Sequence, residues 1–242
     1  MRIHIADSKE EVSKRVANDL IELLHTVKHP LICLASGDSP SGLYKEIVQR
    51  VQNKELNIYS WKFVGLDEWV GMNGGDEGSC RYHLDQQFFT PLRVSLSQIC
   101  FFNGRATDLE NECAATEMLV SKNGGIDVAI IGLGLNGHVG MNEPGTALGS
   151  RVHIADIDPL TQRTAQKYFS SPKQVTHGLT LGLKNLMEAR HIYLIVTGAH
   201  KAEIVQKVLE GDRSENVPAS LLRNHSGFTI YLDTAAAKLL AQ

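Results

Sequence analysis

The chain has 242 residues, of which 43% are hydrophobic, 21% charged and 6% aromatic, a composition that supports a sizeable core and excludes a disordered or fibrous protein. Its 24 basic and 27 acidic residues give a formal net charge of −3. Neither sign forms runs, so the composition indicates no nucleic acid and no membrane as partner. We therefore expect a small soluble molecule as the ligand.

The four cysteines form no C-x-x-C pair and no metal-finger spacing, which favours a reduced compartment over a disulfide framework. The first eleven residues contain three acidic side chains and no apolar stretch of signal-peptide length, and no apolar run is long enough to cross a bilayer. We predict a cytoplasmic protein that is neither secreted nor inserted in a membrane.

Strands and helices alternate along the chain. Ser8 and Glu11 form a capping-box pattern ahead of apolar residues at helical spacing, which predicts a helix over 9–25. An apolar strand at 31–35 follows, then a polar turn with two glycines and a helix over 43–51. Further strands are predicted at 63–66, 127–131, 191–196 and 228–232, and further helices at 79–89, 109–122, 201–209 and 234–240.

The strands are short and almost continuously apolar, as expected for strands buried on both faces of a parallel sheet. We predict an α/β fold with a single open, mostly parallel sheet and helices on both faces, a Rossmann-like arrangement, in one domain over 1–242. The segment 156–176 has the weakest pattern and is a candidate lid.

In such a sheet the ligand lies beyond the carboxyl ends of the strands, where four polar clusters are expected. The first, 36–42, combines hydroxyls, glycines and a helix start, and predicts a phosphate cradle. An ordinary strand-to-helix turn remains the alternative. Asp38 does not suit a phosphate site, since its carboxylate would repel the anion.

The second cluster is the pair Asp67 and Glu68 after the strand at 63–66. One of the two is expected to face the crevice, where a partly desolvated carboxylate can act as a general base toward a carbon-bound proton. A capping or solvated acidic pair is the alternative.

Another of the clusters contains Lys201, which opens a predicted helix. A positive charge at a helix N-terminus opposes the helix macrodipole, so this lysine indicates a bound anion. A plain surface lysine is the alternative.

The remaining cluster, 132–145, begins with G-x-G-x-x-G. A nicotinamide cofactor is not expected, because the third glycine is followed by an asparagine, a proline and more glycines instead of a helix. The segment places His138 close to Asn136 and Glu143, and a His–Glu pair is suited to proton transfer to a sugar ring oxygen. A solvated loop histidine is the alternative.

Together these motifs resemble the glucosamine-6-phosphate deaminase/isomerase family over about 31–233. The resemblance rests on Leu-Ala-Ser-Gly-x-Ser-Pro at 34–40, Leu-Asp-Glu-Trp-Val at 66–70, Asn-Gly-His-x-Gly-x-Asn-Glu-Pro-Gly at 136–145, Val-Thr-Gly at 196–198 with Lys201, and Pro-Ala-Ser at 218–220. Trp69 and the segments 78–80 and 178–184 look closest to the galactosamine-6-phosphate isomerase branch.

The resemblance implies that an amino-sugar 6-phosphate becomes a ketohexose 6-phosphate, tagatose or fructose 6-phosphate, with loss of ammonia and with no metal or other cofactor. Asp67 matches the acid/base that moves a proton from C2 to C1, and His138 matches the ring-opening acid/base. The candidate catalytic residues are Asp67, Asn136, His138 and Glu143. The candidate phosphate- and substrate-binding residues are Ser36, Gly37, Asp38, Ser39, Glu68, Lys167 and Lys201.

The sequence departs from the family pattern at three places. Asp38 stands where glucosamine enzymes usually have glycine, and Lys167 where many relatives carry a phosphate-binding arginine. The stretch 151–156 and the end of the chain lack the residues of the activator site that some hexameric members have, so we expect no such activation. Monomers and homo-oligomers are both compatible with the sequence.

Two other functions remain alternatives. A 6-phosphogluconolactonase shares the fold, but it needs neither the Asp67–Glu68 pair nor the Asn-Glu-Pro ending at 142–144. A sugar-phosphate sensor without turnover is expected to lack the acid/base residues or to carry a DNA-binding segment, and neither is seen in this sequence.

Overall fold

The computed structural model describes residues 1–241 and contains two sheets. The strands are β1 Arg2–Ala6, β2 Leu31–Leu34, β3 Lys62–Gly65, β4 Asp67–Trp69, β5 Ile99–Cys100, β6 Val128–Gly132, β7 His153–Asp156, β8 His177–Thr180, β9 His191–Val196 and β10 Phe228–Asp233. The main sheet has seven strands in the order β1-β10-β9-β6-β2-β3-β5, and every neighbouring pair is parallel.

The helices lie between the strands, as predicted for an α/β fold. They are α1 Lys9–Leu24, α2 Ser41–Gln52, α3 Cys80–Leu84, α4 Thr90–Leu92, α5 Leu109–Lys122, α6 Pro159–Ala165, α7 Leu183–Met187, α8 Ala202–Glu210, α9 Pro218–Leu221 and α10 Thr234–Ala237. Within residues 1–241, no helix combines the length and the apolar character that crossing a membrane requires.

Alternate residues of the central strands point to opposite faces of the main sheet, and both faces are covered. Ile32 and Phe63 pack in one apolar cluster with α1 and α2. Leu31 and Cys33 belong to the other cluster, with α5, α7 and α8. The strands are therefore buried on both sides, which confirms the prediction of a mostly parallel sheet between two helical layers.

The second sheet was not predicted, and it corrects the expectation of a single sheet. Its three strands are antiparallel in the order β4-β8-β7. Only Leu66 separates β3 from β4, and its backbone is hydrogen-bonded to both sheets. Its N–H donates to the carbonyl of Leu34 in β2 at 3.0 Å. Its carbonyl accepts from the N–H of Leu181, the residue after β8, at 2.9 Å. The chain thus passes from one sheet to the other at the edge where a ligand is expected.

Other elements also differ from the sequence-based expectations. β1 was missed because it is an edge strand whose side chains are mostly exposed, so its residues mix polar and apolar types. The predicted helix 79–89 contains a π-helical turn at Asp85–Phe89 and continues to Leu92. The weakly patterned segment 156–176 is partly helical, because Asp158 caps α6 by accepting a hydrogen bond from the N–H of Leu160 at 2.7 Å.

Candidate active site

A cavity of about 710 Å³ lies at the carboxyl ends of the parallel strands. Its wall contains the residues that follow or end β2, β3, β6, β9 and β10, which are Ser36, Asp67, Gly132, Thr197 and Asp233. This is the position that the sheet topology predicts for a ligand. Of the eleven candidate site residues, eight line the cavity: Ser36, Gly37, Asp38, Ser39, Asp67, His138, Lys167 and Lys201.

The loop 36–40 joins β2 to α2 and forms one end of the cavity. Gly37 has a φ of +105°, a conformation that glycine adopts without strain. The Tyr44 hydroxyl donates to the Ala35 carbonyl at 2.5 Å and ties the start of the loop to the first turn of α2. The loop therefore presents backbone and hydroxyl groups ahead of a helix N-terminus, as an anion site requires.

Asp67 lies in the cavity wall with only 9% of its surface exposed. Burial raises the pKa of its carboxyl to about 6, although the Cys80 thiol and His138 both act to lower it. A carboxyl group with a pKa in this range can accept a proton at neutral pH and release it again. The position and the pKa both suit a base that acts on a bound ligand.

Glu68 does not reach the cavity, so its assignment to substrate binding was wrong. Successive residues of a strand point to opposite faces, and Asp67 takes the face toward the cavity. The Glu68 carboxylate is fully buried and accepts hydrogen bonds from the backbone N–H groups of Trp69, Cys80 and Arg81 at 2.9, 2.9 and 3.0 Å. Burial raises its pKa to about 7 despite these bonds. Glu68 joins β4 to the start of α3.

His138 enters the cavity from the glycine-rich loop after β6, and its Nδ1 atom faces three polar groups. Nδ1 lies 2.7 Å from Oδ1 of Asn136, 3.1 Å from Oγ1 of Thr161 and 3.3 Å from Oε2 of Glu143. Asn136 Nδ2 also donates to Oε2 of Glu143 at 2.8 Å. These contacts fix the ring and set which nitrogen carries the proton.

Asn136 and Glu143 do not line the cavity and instead contact His138, so the structure places them as positioning residues for its ring. Glu143 is buried. Burial alone would raise its pKa, but hydrogen bonds from His138 and Asn136 hold the pKa below its usual value. A carboxylate that stays charged beside the imidazole fixes the orientation of the ring.

Gly134 is required by the position of the His138 ring. A Cβ atom at Gly134 would lie 2.2 Å from Cε1 of His138 and 2.5 Å from Nε2. Any other residue there would displace the ring or the loop. The glycine content of this segment thus serves close packing against the histidine and not the dinucleotide binding that the G-x-G-x-x-G pattern would suggest.

Lys201 lies directly before α8 and donates from Nζ to the Leu133 carbonyl at 2.5 Å. Burial, and to a lesser extent the charge of Lys167, lowers the pKa of Lys201 to about 8. Both lysines line the cavity, but Lys167 forms an ion pair with Asp38 of the loop 36–40. The two ammonium groups and the Asp38 carboxylate therefore lie together at the end of the cavity that the loop 36–40 forms.

Several cavity residues were missed by sequence reasoning, among them Lys9, Cys80, Thr161, Tyr168 and Asp233. Lys9 begins α1 as Lys201 precedes α8, so the same helix-dipole argument could have found it. Thr161 carried no such signal, because its contact with His138 joins elements far apart in the chain. Within residues 1–241, no group of three or more His, Cys, Asp or Glu side chains could hold a metal ion.

Comparison with known proteins identifies relatives over the whole chain. The family model for glucosamine-6-phosphate isomerases/6-phosphogluconolactonase matches residues 6–231. Glucosamine-6-phosphate deaminase 1 of Bacillus subtilis is 34% identical over 240 residues, which cover 99% of each chain. Glucosamine-6-phosphate deaminase of Oceanobacillus iheyensis is 32% identical over 237 residues, which cover 98% of this chain and 95% of the other.

A solved structure of a monomeric glucosamine-6-phosphate deaminase superposes with a TM-score of 0.95 at 34% identity, over 99% of this chain and 100% of the other. A 6-phosphogluconolactonase from Trypanosoma brucei has the same fold, with a TM-score of 0.77 at 18% identity over 99% of this chain and 98% of the other. The chain belongs to the family of glucosamine-6-phosphate isomerases and 6-phosphogluconolactonases.

Proposed function

We propose that the chain is an amino-sugar-6-phosphate deaminase/isomerase that converts glucosamine 6-phosphate into fructose 6-phosphate and ammonia. One observation carries this proposal: a buried carboxylate with a raised pKa, Asp67, and a histidine held by a carboxylate, His138, line one cavity that ends at the loop 36–40 and at two lysines. The relatives named glucosamine-6-phosphate deaminase support the same reaction.

The phosphate group of the substrate would occupy the loop 36–40. The N–H groups and hydroxyls there, with the ammonium group of Lys201, offer hydrogen bonds and charge to an anion. Anchoring the 6-phosphate at this end directs the sugar ring toward Asp67 and His138. The segment 156–176, which contributes Thr161 and Lys167 to the wall, would cover the bound sugar as a lid.

His138 would open the pyranose ring. As the C1–O5 bond breaks, the imidazolium gives its proton to O5, and a water molecule takes the proton of the O1 hydroxyl as the aldehyde forms at C1. Glu143 and Asn136 hold the imidazole at Nδ1, so the other ring nitrogen is the one available to the sugar. Ring opening makes the C2 proton acidic, because a carbonyl group now stands beside it.

Asp67 would then move the proton. Its carboxylate takes the proton from C2, the electron pair of the C2–H bond forms the C1–C2 double bond of an enolamine, and O1 takes up a proton from water. The resulting carboxylic acid returns the proton to C1, which leaves an imine at C2. Water adds to this imine and ammonia departs, giving the 2-ketose. The raised pKa of Asp67 suits both halves of this transfer.

Galactosamine 6-phosphate, which would give tagatose 6-phosphate, remains a second candidate substrate. Trp69, one of the residues that favoured this branch, lines the cavity next to Asp67 and packs edge-on against Phe169 of the segment 156–176, with ring centroids 6.3 Å apart. The two sugars differ at one hydroxyl, which one or two wall residues can distinguish. The same assay decides between them.

The test is ammonia release by the purified protein in parallel reactions with glucosamine 6-phosphate, galactosamine 6-phosphate and 6-phosphogluconolactone. We expect ammonia from at least one amino sugar and a loss of at least 10³-fold in kcat for Asp67→Asn. Lactone hydrolysis without ammonia release would favour the lactonase. Binding of the amino sugars without any turnover would favour a sensor, and either result would contradict the proposal.

A further inference from the structure

An ion pair crosses the phosphate end of the cavity. Asp38, in the loop 36–40, accepts a hydrogen bond from Nζ of Lys167, which lies in the turn Gln166–Tyr168 after α6. Both residues line the cavity although 129 positions separate them in the chain. The pair therefore connects the phosphate loop directly to the segment 156–176.

The neighbouring Tyr168 also lies on the phosphate loop. A Cβ atom at Gly37 would lie 3.0 Å from the Tyr168 hydroxyl oxygen, so the tyrosine is in contact with the backbone of the loop. The Tyr168 ring lies 4.8 Å from Nζ of Lys167 and its centroid 5.3 Å from that of His83. Lys167 and Tyr168 thus occupy the surface on which the proposed phosphate group would lie.

The charges at this end conflict with phosphate binding as they stand. The Asp38 carboxylate repels an anion, and its ion pair also engages the lysine that could attract one. The pair is largely exposed, with 55% of the Lys167 side chain and 68% of the Asp38 side chain accessible. Such pairs are weak, so a phosphate dianion, with its greater charge, can displace the carboxylate from the lysine.

We propose that Asp38 and Lys167 form a latch, in which the ammonium group of Lys167 is held by Asp38 in the empty site and passes to the phosphate group of the substrate on binding. This inference rests on the proposed function for the identity of the ligand. Asp38 then acts as a competitor of the substrate phosphate, which gives a role to a carboxylate that would otherwise only repel the anion.

A double-mutant cycle on binding tests the latch without requiring turnover. The probe is glucose 6-phosphate, which has no amino group to lose, and its Kd is measured by calorimetry for the native protein, Asp38→Asn, Lys167→Met and the double variant. We expect Asp38→Asn to lower Kd about three- to fivefold, the scale of an exposed ion pair. Lys167→Met should raise Kd.

The double variant separates competition from simple repulsion. If Lys167 passes from Asp38 to the phosphate, the gain from Asp38→Asn is smaller once Lys167 is methionine, because only the repulsion between Asp38 and the phosphate is then removed. An equal or larger gain in the Lys167→Met background would overturn the latch, because Asp38 would then act on the phosphate alone. An unchanged Kd for Asp38→Asn, or no binding of glucose 6-phosphate by any variant, would overturn it as well.

Asp156→Asn is the matched control. Asp156 also belongs to the segment 156–176 and forms an exposed pair, with 3.1 Å between Oδ1 and Nε2 of His177, but it does not line the cavity. Its substitution removes the same charge and should leave Kd unchanged. Because the cycle measures binding only, a failure of deamination and a failure of the latch give different results.

Discussion

Replacing Asp67 by asparagine should stabilise the fold while it abolishes turnover. The Asp67 carboxyl has its pKa raised from 3.8 to about 6, chiefly by burial. The folded protein therefore binds this proton more tightly than the unfolded chain does, and the charged carboxylate destabilises the fold. An amide of nearly the same shape carries no charge and avoids that cost.

The magnitude follows from the two pKa values. A shift of about 2 pKa units corresponds to about 3 kcal/mol at a pH above both values. This value is an upper limit to the stabilisation by Asp67→Asn, because the amide also leaves imperfect hydrogen bonds at the site. The destabilisation is absent below the unfolded pKa of 3.8 and develops as the pH rises through about 6. We expect Asp67→Asn to raise the free energy of unfolding by about 1 to 3 kcal/mol at pH 8 and by almost nothing near pH 4.

Urea unfolding of the native protein and of Asp67→Asn, at a series of pH values from 4 to 8, measures this difference, and equal m values confirm that both unfold in the same way. The exposed Asp156→Asn serves as control, with no gain expected at either pH. A loss of stability at pH 8, or a gain that does not change with pH, would refute the assignment of Asp67 as a desolvated carboxylate.

Three further predictions concern the site. Gly134→Ala should lower kcat at least tenfold in steady-state assays, because a Cβ atom there would lie 2.2 Å from the His138 ring. In a pH series, kcat/KM should fall below about pH 6 as Asp67 takes up a proton, and KM should rise above about pH 8 as Lys201 loses its proton. Glu68→Ala should reduce the free energy of unfolding by roughly 3 kcal/mol in urea titrations, because it leaves three backbone N–H groups without their acceptor.

The main sheet and the edge that holds the site were predictable from the sequence because buried parallel strands are continuous apolar runs. The polar residues that follow them, such as Ser36, Asp67 and Lys201, then lie at one end of the sheet by topology alone. β1 gave a weaker signal because it is a half-exposed edge strand. The second sheet gave none, because β4 has three residues and pairs with β8, more than a hundred positions away.

The roles of individual residues depended on contacts that the sequence does not contain. The pair Asp67–Glu68 predicted one carboxylate in the crevice, but strand alternation alone does not decide which one. The Glu68 carboxylate is directed to the backbone N–H groups at the start of α3, and only the relative position of β4 and that helix reveals this. The ion pair of Asp38 with Lys167 depends in the same way on how the segment 156–176 packs against the loop 36–40.

The most direct test of Asp67 as the base is turnover of glucosamine 6-phosphate in D₂O, with the product examined by nuclear magnetic resonance beside the ammonia measurement. We predict that any deuterium from the solvent at C1 of fructose 6-phosphate lies on one face only, because a single carboxyl group delivers the hydrogen, whether it is the one taken from C2 or one exchanged with the solvent. In Asp67→Asn both deuterium uptake and ammonia release should disappear, while glucose 6-phosphate still binds. Undiminished ammonia release and deuterium uptake in Asp67→Asn would contradict the mechanism.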